Sequence, residues 1–193
     1  MGRENIGQFF STAMRCSFSS ELLPRSDANP AKRKVGFPAM LHIFVDADAC
    51  PVKEEVYRVA GRYGLAVTLV ANSAMRVPLD ARVELVIVGE GLDVADDWIA
   101  AHAGEGDIVI TGDIPLAARC LAQGARALGT TGKAFTEDNV GDALATRELM
   151  ADLRGAGAIT GGPPPFQKKD SSRFLQALDS IVQQLKRSDW RAE

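Results

Sequence analysis

The chain of 193 residues is the size of one domain, and its 46% hydrophobic and 24% charged residues suffice for a proper core. Residues 1–38 hold six Lys/Arg against three Asp/Glu, leaving 16 against 22 in the rest, and an acidic body argues against broad, salt-driven nucleic-acid binding, though a metal-bridged phosphate or a local basic patch stays open. Three cysteines (Cys16, Cys50, Cys120) without C-x-x-C spacing and two histidines (His42, His102) point away from a disulfide framework, a zinc site and a nucleophile triad, so carboxylate chemistry in a reducing, cytoplasmic setting is expected.

Residues 1–38 are rich in Ser, Arg, Asn and Pro, show no sustained period and read as a disordered extension, with Met40 the expected true start. From residue 41 apolar strands alternate with helices. Residues 41–45 form the first strand, Pro51 opens a helix to Tyr63, and Gly64 stops it. Runs 65–70, 84–88 and 107–110 lack polar alternation, as parallel strands covered on both faces do. Helices are expected over 94–103, from Pro115 to Gly124 and over 137–154, with a short strand at 126–128. The repeated order predicts a three-layer α/β domain over 40–187 with one parallel, Rossmann-like sheet. The stretch 155–169, with Gly161-Gly162-Pro163-Pro164-Pro165, reads as a loop. Asp170 is the expected cap of a C-terminal helix whose Phe174, Leu178, Ile181, Val182 and Leu185 make one apolar stripe, and 188–193 is a tail expected to fray. Every apolar run falls far short of the roughly 20 residues of a membrane span.

In open parallel sheets, ligands bind outside the carboxyl ends of the strands. Here those positions are acidic. Asp46 and Asp48 follow the first strand, Glu90 and Asp93 the third, with Asp96 and Asp97 on the next helix, and Asp113 follows the fourth. Converging carboxylates raise one another's pKa unless a cation neutralises them, and hard oxygen ligands favour Mg²⁺ or Mn²⁺. Asp46 and Asp113 are the strongest ligand candidates. Asp93 also suits a helix cap, Asp96 and Asp97 a helix first turn, and Asp48 an Asx turn before Pro51. Cys50 near a helix start has no evident base, so packing is its expected role. Asn72 and Ser73 after the second strand suit a phosphate contact, and Arg76, Arg82, Arg126, Lys168, Lys169 and Arg173 are basic residues able to hold a strand.

The string His42-Ile43-Phe44-Val45-Asp46-Ala47-Asp48-Ala49-Cys50-Pro51-Val52-Lys53 resembles the signature of the YaiI/YqxD family, bacterial proteins with a PIN-like nuclease fold. Val70-Ala71-Asn72-Ser73, the run from Asp93 through Asp96-Asp97-Trp98-Ile99, and Gly106 through Thr111-Gly112-Asp113 to Ala117 resemble the family in order and spacing. So do Phe135-Thr136 with Asn139, and Gly162-Pro163 through Phe166 and Asp170 to Phe174. The resemblance covers about 40–186. It implies acidic residues holding Mg²⁺ or Mn²⁺ for nucleic-acid hydrolysis, RNA favoured, at Asp46, Asp93 or Asp97, and Asp113, with Asp48 part of the family's own motif. Gly129-Thr130-Thr131-Gly132-Lys133 departs from the Arg-Gly expected there, and residues 1–38 match nothing in the family.

Other readings have weaker support. Asp46-x-Asp48 suits an aspartyl-phosphate phosphatase, but no lysine lies between Ser73 and Asp113 to neutralise the phosphoryl group. A receiver-like module needs an aspartate ending the third strand, where Val88-Gly89-Glu90 stands. A dinucleotide site needs glycines in the first turn, which has none. A non-catalytic metal- or RNA-binding module remains an alternative beside the phosphatase.

Overall fold

The computed structural model describes residues 41–48, 50–89, 91, 93–158 and 166–192, with side chains through Ser188. The expected extension 1–38, Met40, Glu90 and the run 161–165 lie outside the described residues. In chain order come β1 (His42–Asp46), α1 (Lys53–Tyr63), β2 (Ala66–Ala71), β3 (Val83–Ile87), α2 (Val94–His102), β4 (Ile108–Ile110), α3 (Ile114–Leu121), β5 (Arg126–Leu128), β6 (Ala134–Phe135), α4 (Glu137–Gly155) and α5 (Lys168–Ala192).

The strands make one sheet in the order β3-β2-β1-β4-β5-β6, parallel except for β6, which pairs antiparallel with β5. Alternate side chains of a strand point to opposite faces, and β1 shows the consequence. Ile43 and Val45 join Val56 and Val59 of α1 and Phe174, Leu178 and Val182 of α5. Phe44 joins Ile99 of α2 and Leu116 and Cys120 of α3 on the other face. The α/β/α sandwich expected from the strand–helix alternation is therefore present. No helix among the described residues is long and apolar enough to cross a membrane.

Local chemistry explains the boundaries. Gly64 ends α1 in the left-handed conformation at φ 68, and its N–H closes on the Ala60 carbonyl. Helix α1 starts later than Pro51 suggests: residues 51–52 are a turn, and Val52 supplies the carbonyl for the Val56 N–H at 3.1 Å. Asp170 is not the cap of α5 but stands in its first turn, where its carboxylate accepts the Gln167 N–H at 3.0 Å, the carboxylate half of a capping box. Helix α5 runs on to Ala192, through the stretch expected to fray. Strand β6 has two residues and no apolar run to announce it; the turn at 129–133 folds it back, with Gly129 N–H bonded to the Lys133 carbonyl at 2.8 Å.

Gly132 has a role of its own. It sits at φ +82, and a Cβ there would lie 2.7 Å from the Phe174 nitrogen, so the β5–β6 turn abuts the backbone of α5.

Candidate functional site at the carboxyl edge of β1 and β4

The chain leaves β1 toward β2 on one side, and later returns as β4 on the other. Such a reversal opens a crevice at the carboxyl ends of the two central strands. The register pairs Val45 with Ile110, which sets Asp46 beside Thr111. The Thr111 hydroxyl donates to Asp46 Oδ2 at 3.0 Å and accepts the Asp113 N–H at 2.9 Å. One buried hydroxyl thus ties both leading acids together.

Asp113 is the N-cap of α3, with Oδ1 accepting the Leu116 N–H at 3.2 Å. Its Oδ2 faces Arg147 of α4 at 3.2 Å, 34 residues further along the chain. Asp93 occupies the cap position of α2 without making a cap bond, and its backbone is left-handed at φ 61, a conformation aspartate tolerates better than most residues. Asp93 thus holds the cap position expected of it at α2 but not the bond, whereas Asp113 makes the cap bond of α3.

Asp96 and Asp97, adjacent on α2, part company. Asp97 is 67% exposed and pairs with Arg119 at 2.7 Å. Asp96 is half-buried; burial first, then the charges of Asp46, Asp113 and Asp93, push its carboxyl up to about 6, against the pull of Arg119. Burial also raises Asp46, as do Asp48 and Asp113, while the Thr111 hydroxyl and Lys53 oppose the rise. Lys53 is held there by a 2.7 Å bond from Nζ to the Ala47 carbonyl. Asp93, Asp96, Asp97 and Asp113, with Arg119 and Arg147, line a cleft of about 380 Å³, and Asp46 is not among its lining residues.

The other expected site residues stand apart. Asp48 is exposed and accepts the Asn72 N–H at 2.9 Å, bracing the loop after β1 against the loop after β2. Asn72, Ser73 and Arg76 are exposed on that second loop, and Lys168 and Lys169 are exposed in the first turn of α5. None of these five lines the acidic cleft. Cys50 and Cys120 are buried, and burial pushes both thiols up to about 11, which suits packing and not nucleophilic attack. Thr111, Lys53, Arg119 and Arg147 were not among the candidates. Thr111 had a readable signal, since it directly follows β4, where the acids were sought. Arg147 had none.

Among the described residues no three His, Cys, Asp or Glu side chains converge into a ready metal cage. The donor chemistry nonetheless suits a hard cation: Mg²⁺ commonly takes one or two carboxylates and completes its shell with water and substrate phosphate oxygens. The Thr111 hydroxyl joins the Asp46 carboxylate to the Asp113 backbone N–H, and both carboxylates raise that of Asp96, so Asp46 and Asp113 are the residues that could hold such an ion.

A family model described as "Uncharacterized BCR, YaiI/YqxD family" matches residues 44–184. The chain is 60% identical over 148 residues to the UPF0178 protein of Rhodospirillum rubrum, covering 76% of this chain and 99% of that one. It is 57% identical over 148 residues to the UPF0178 protein of Paramagnetospirillum magneticum, 77% of this chain and 98% of that one. With a UPF0178 protein of Rhodopseudomonas palustris the identity is 54% over 147 residues, 76% of this chain and 95% of that one. No solved structure matches. A family model over residues 44–184 and relatives 54–60% identical over nearly their whole length make the chain a member of the YaiI/YqxD family.

Proposed function

We propose that the protein hydrolyses nucleic-acid phosphodiesters, RNA in preference, with Mg²⁺ or Mn²⁺ held by Asp46 and Asp113. The observation that carries this reading is the geometry of the crevice, where the Thr111 hydroxyl binds the Asp46 carboxylate at 3.0 Å and the Asp113 N–H at 2.9 Å; burial first, and then neighbouring carboxylates, raise Asp46 and Asp96 there. Protein cations offset that rise only in part, which leaves a place for a divalent ion. When bound, such an ion supplies a water of lowered pKa and positive charge for the leaving oxygen.

The chain's own groups do the rest. Thr111 orients Asp46 through its hydroxyl, and Lys53 adds positive charge beside it. Asp96, poised near 6, is the group able to hold or release a proton near neutral pH. Arg119 and Arg147 stand on the rim of the cleft, where guanidinium groups bind phosphate oxygens well.

The test uses protein stripped with EDTA, then given millimolar Mn²⁺ or Mg²⁺ and end-labelled single-stranded RNA or DNA of one sequence. Cleavage that requires metal, favours RNA and disappears in the Asp46→Asn/Asp113→Asn variant is expected. Wild-type protein inert at millimolar Mn²⁺, or a double variant as active as wild type, overturns the proposal.

A further inference from the structure

A second cleft, of about 580 Å³, opens beside the acidic one, between α4 and the segment after β4. Gly112 and Ile114 form one wall, and Ala143, Arg147, Met150 and Arg154 of α4 contribute to the other. Those four recur at three- and four-residue spacing, so they share one helix face. A core helix would fill such a face with leucine; here it carries two arginines. Lys133, from the β5–β6 turn, adds a third cation, against the single carboxylate of Asp142.

The charges differ from those at the acidic site in one respect. Arg147 is paired with Asp113, but among the described residues neither Lys133 nor Arg154 has a carboxylate partner. Arg147 also lines both clefts, which makes them neighbours on the surface. Among the described residues no aromatic side chain lines the basic cleft, so its grip is on phosphate and not by base stacking.

We infer that the basic cleft holds the phosphate backbone of a single-stranded nucleic acid, gripped by Lys133 and Arg154, with Arg147 at the junction to the acidic cleft. The inference rests on the phosphodiester reading above and names where its substrate lies. Recognition is of phosphate and so independent of base sequence. It also gives a local basic patch to a chain whose overall charge is negative.

Binding of a short fluorescein-labelled oligouridylate to the full chain, followed by anisotropy in EDTA across a salt series, separates binding from hydrolysis. Each neutralised phosphate on a single strand contributes about 0.7 to the salt slope, so Lys133→Gln/Arg154→Gln should lower it by about 1.4 and weaken low-salt binding about tenfold. Lys168→Gln/Lys169→Gln serves as comparison and should change affinity less than about twofold. An unchanged slope in the first variant, loss confined to the second, or a wild-type chain that does not bind overturns the inference. If thermal melts show the double variant unfolded, the two single variants replace it, each lowering the slope by about 0.7. Binding lost in the variant while wild type cleaves nothing in Mn²⁺ upholds the cleft and sinks the nuclease. Cleavage by wild type with unchanged binding in the variant sinks the cleft alone.

Discussion

Helices α4 and α5 are the two longest among the described residues, 19 and 25 residues, and they are built for different ends. Helix α5 inserts Phe174, Leu178 and Val182, each fully buried, between α1 and the sheet. Helix α4 packs on α3 without fully burying a single side chain, and leaves Leu149 and Met150 exposed. Its start is nonetheless well defined: the Thr136 N–H donates to Asn139 Oδ1 at 3.1 Å, the reach-back bond of a capping box. A well-capped, lightly packed helix holds its backbone in place while leaving a face for solvent and ligand. That is the face that carries Arg147 to Asp113 and Arg154 to the basic cleft. Helix α5 stabilises the fold; helix α4 places arginines at both clefts.

Thermal and denaturant unfolding can break this contrast. Phe174→Ala removes a fully buried ring and should cost about 4 kcal/mol, whereas Leu149→Ala on α4 should cost less than about 0.5 kcal/mol. Comparable losses would mean that α4 is a core element after all. Next in size is Gly132→Ala, where a methyl would meet the backbone of α5 at 2.7 Å and the backbone is left-handed. A loss of about 3 kcal/mol is expected, read as a lower denaturant midpoint. An unchanged midpoint would show that the turn can yield from α5.

Smaller effects fall at the site. Asp96 has a folded pKa of about 6, above the ordinary 3.8, so the folded state holds its proton more tightly. The stability this lends is fully present below 3.8 and is lost as pH rises through about 6. Asp96→Asn should therefore match wild type in acid and exceed it near neutral pH, by about 1 kcal/mol once solvent screening of a half-buried group is allowed for. A variant destabilised equally at both pH values would mean that Asp96 packs, not that it is repelled. Small in stability as well is Arg147→Ala, under about 1 kcal/mol for an exposed pair. Its larger effect should appear by calorimetry: with Asp113 released from a competing cation, Mn²⁺ binds several-fold tighter than to wild type. Weaker binding in that variant would place Arg147 in support of the ion and not in competition with it.

Most of the architecture was legible along the chain, because it depends on neighbours in sequence. Apolar runs such as 65–70 announced strands, Gly64 announced a helix end, and the i, i+4 stripe from Phe174 announced a docked helix. The acids at strand ends were legible by the same logic, as was their gathering at one edge. Strand β6 escaped because two residues carry no period. The difference between Asp96 and Asp97 escaped because adjacent helical residues point about 100° apart, and only the docking of α2 on the sheet decides which one turns inward.

By itself, then, the sequence determined the order of strands and helices and the supply of carboxylates at one sheet edge, because those follow from local periodicity and from where each apolar run stops. Tertiary structure alone decided which side chains meet. Thr111 reaches Asp46 across 65 residues, and Arg147 reaches Asp113 across 34, only because parallel register aligns β1 with β4 and α4 lies back on α3. Contacts of that kind carry no local signature: they depend on where whole elements pack, and the residues between can take any sequence that preserves the packing.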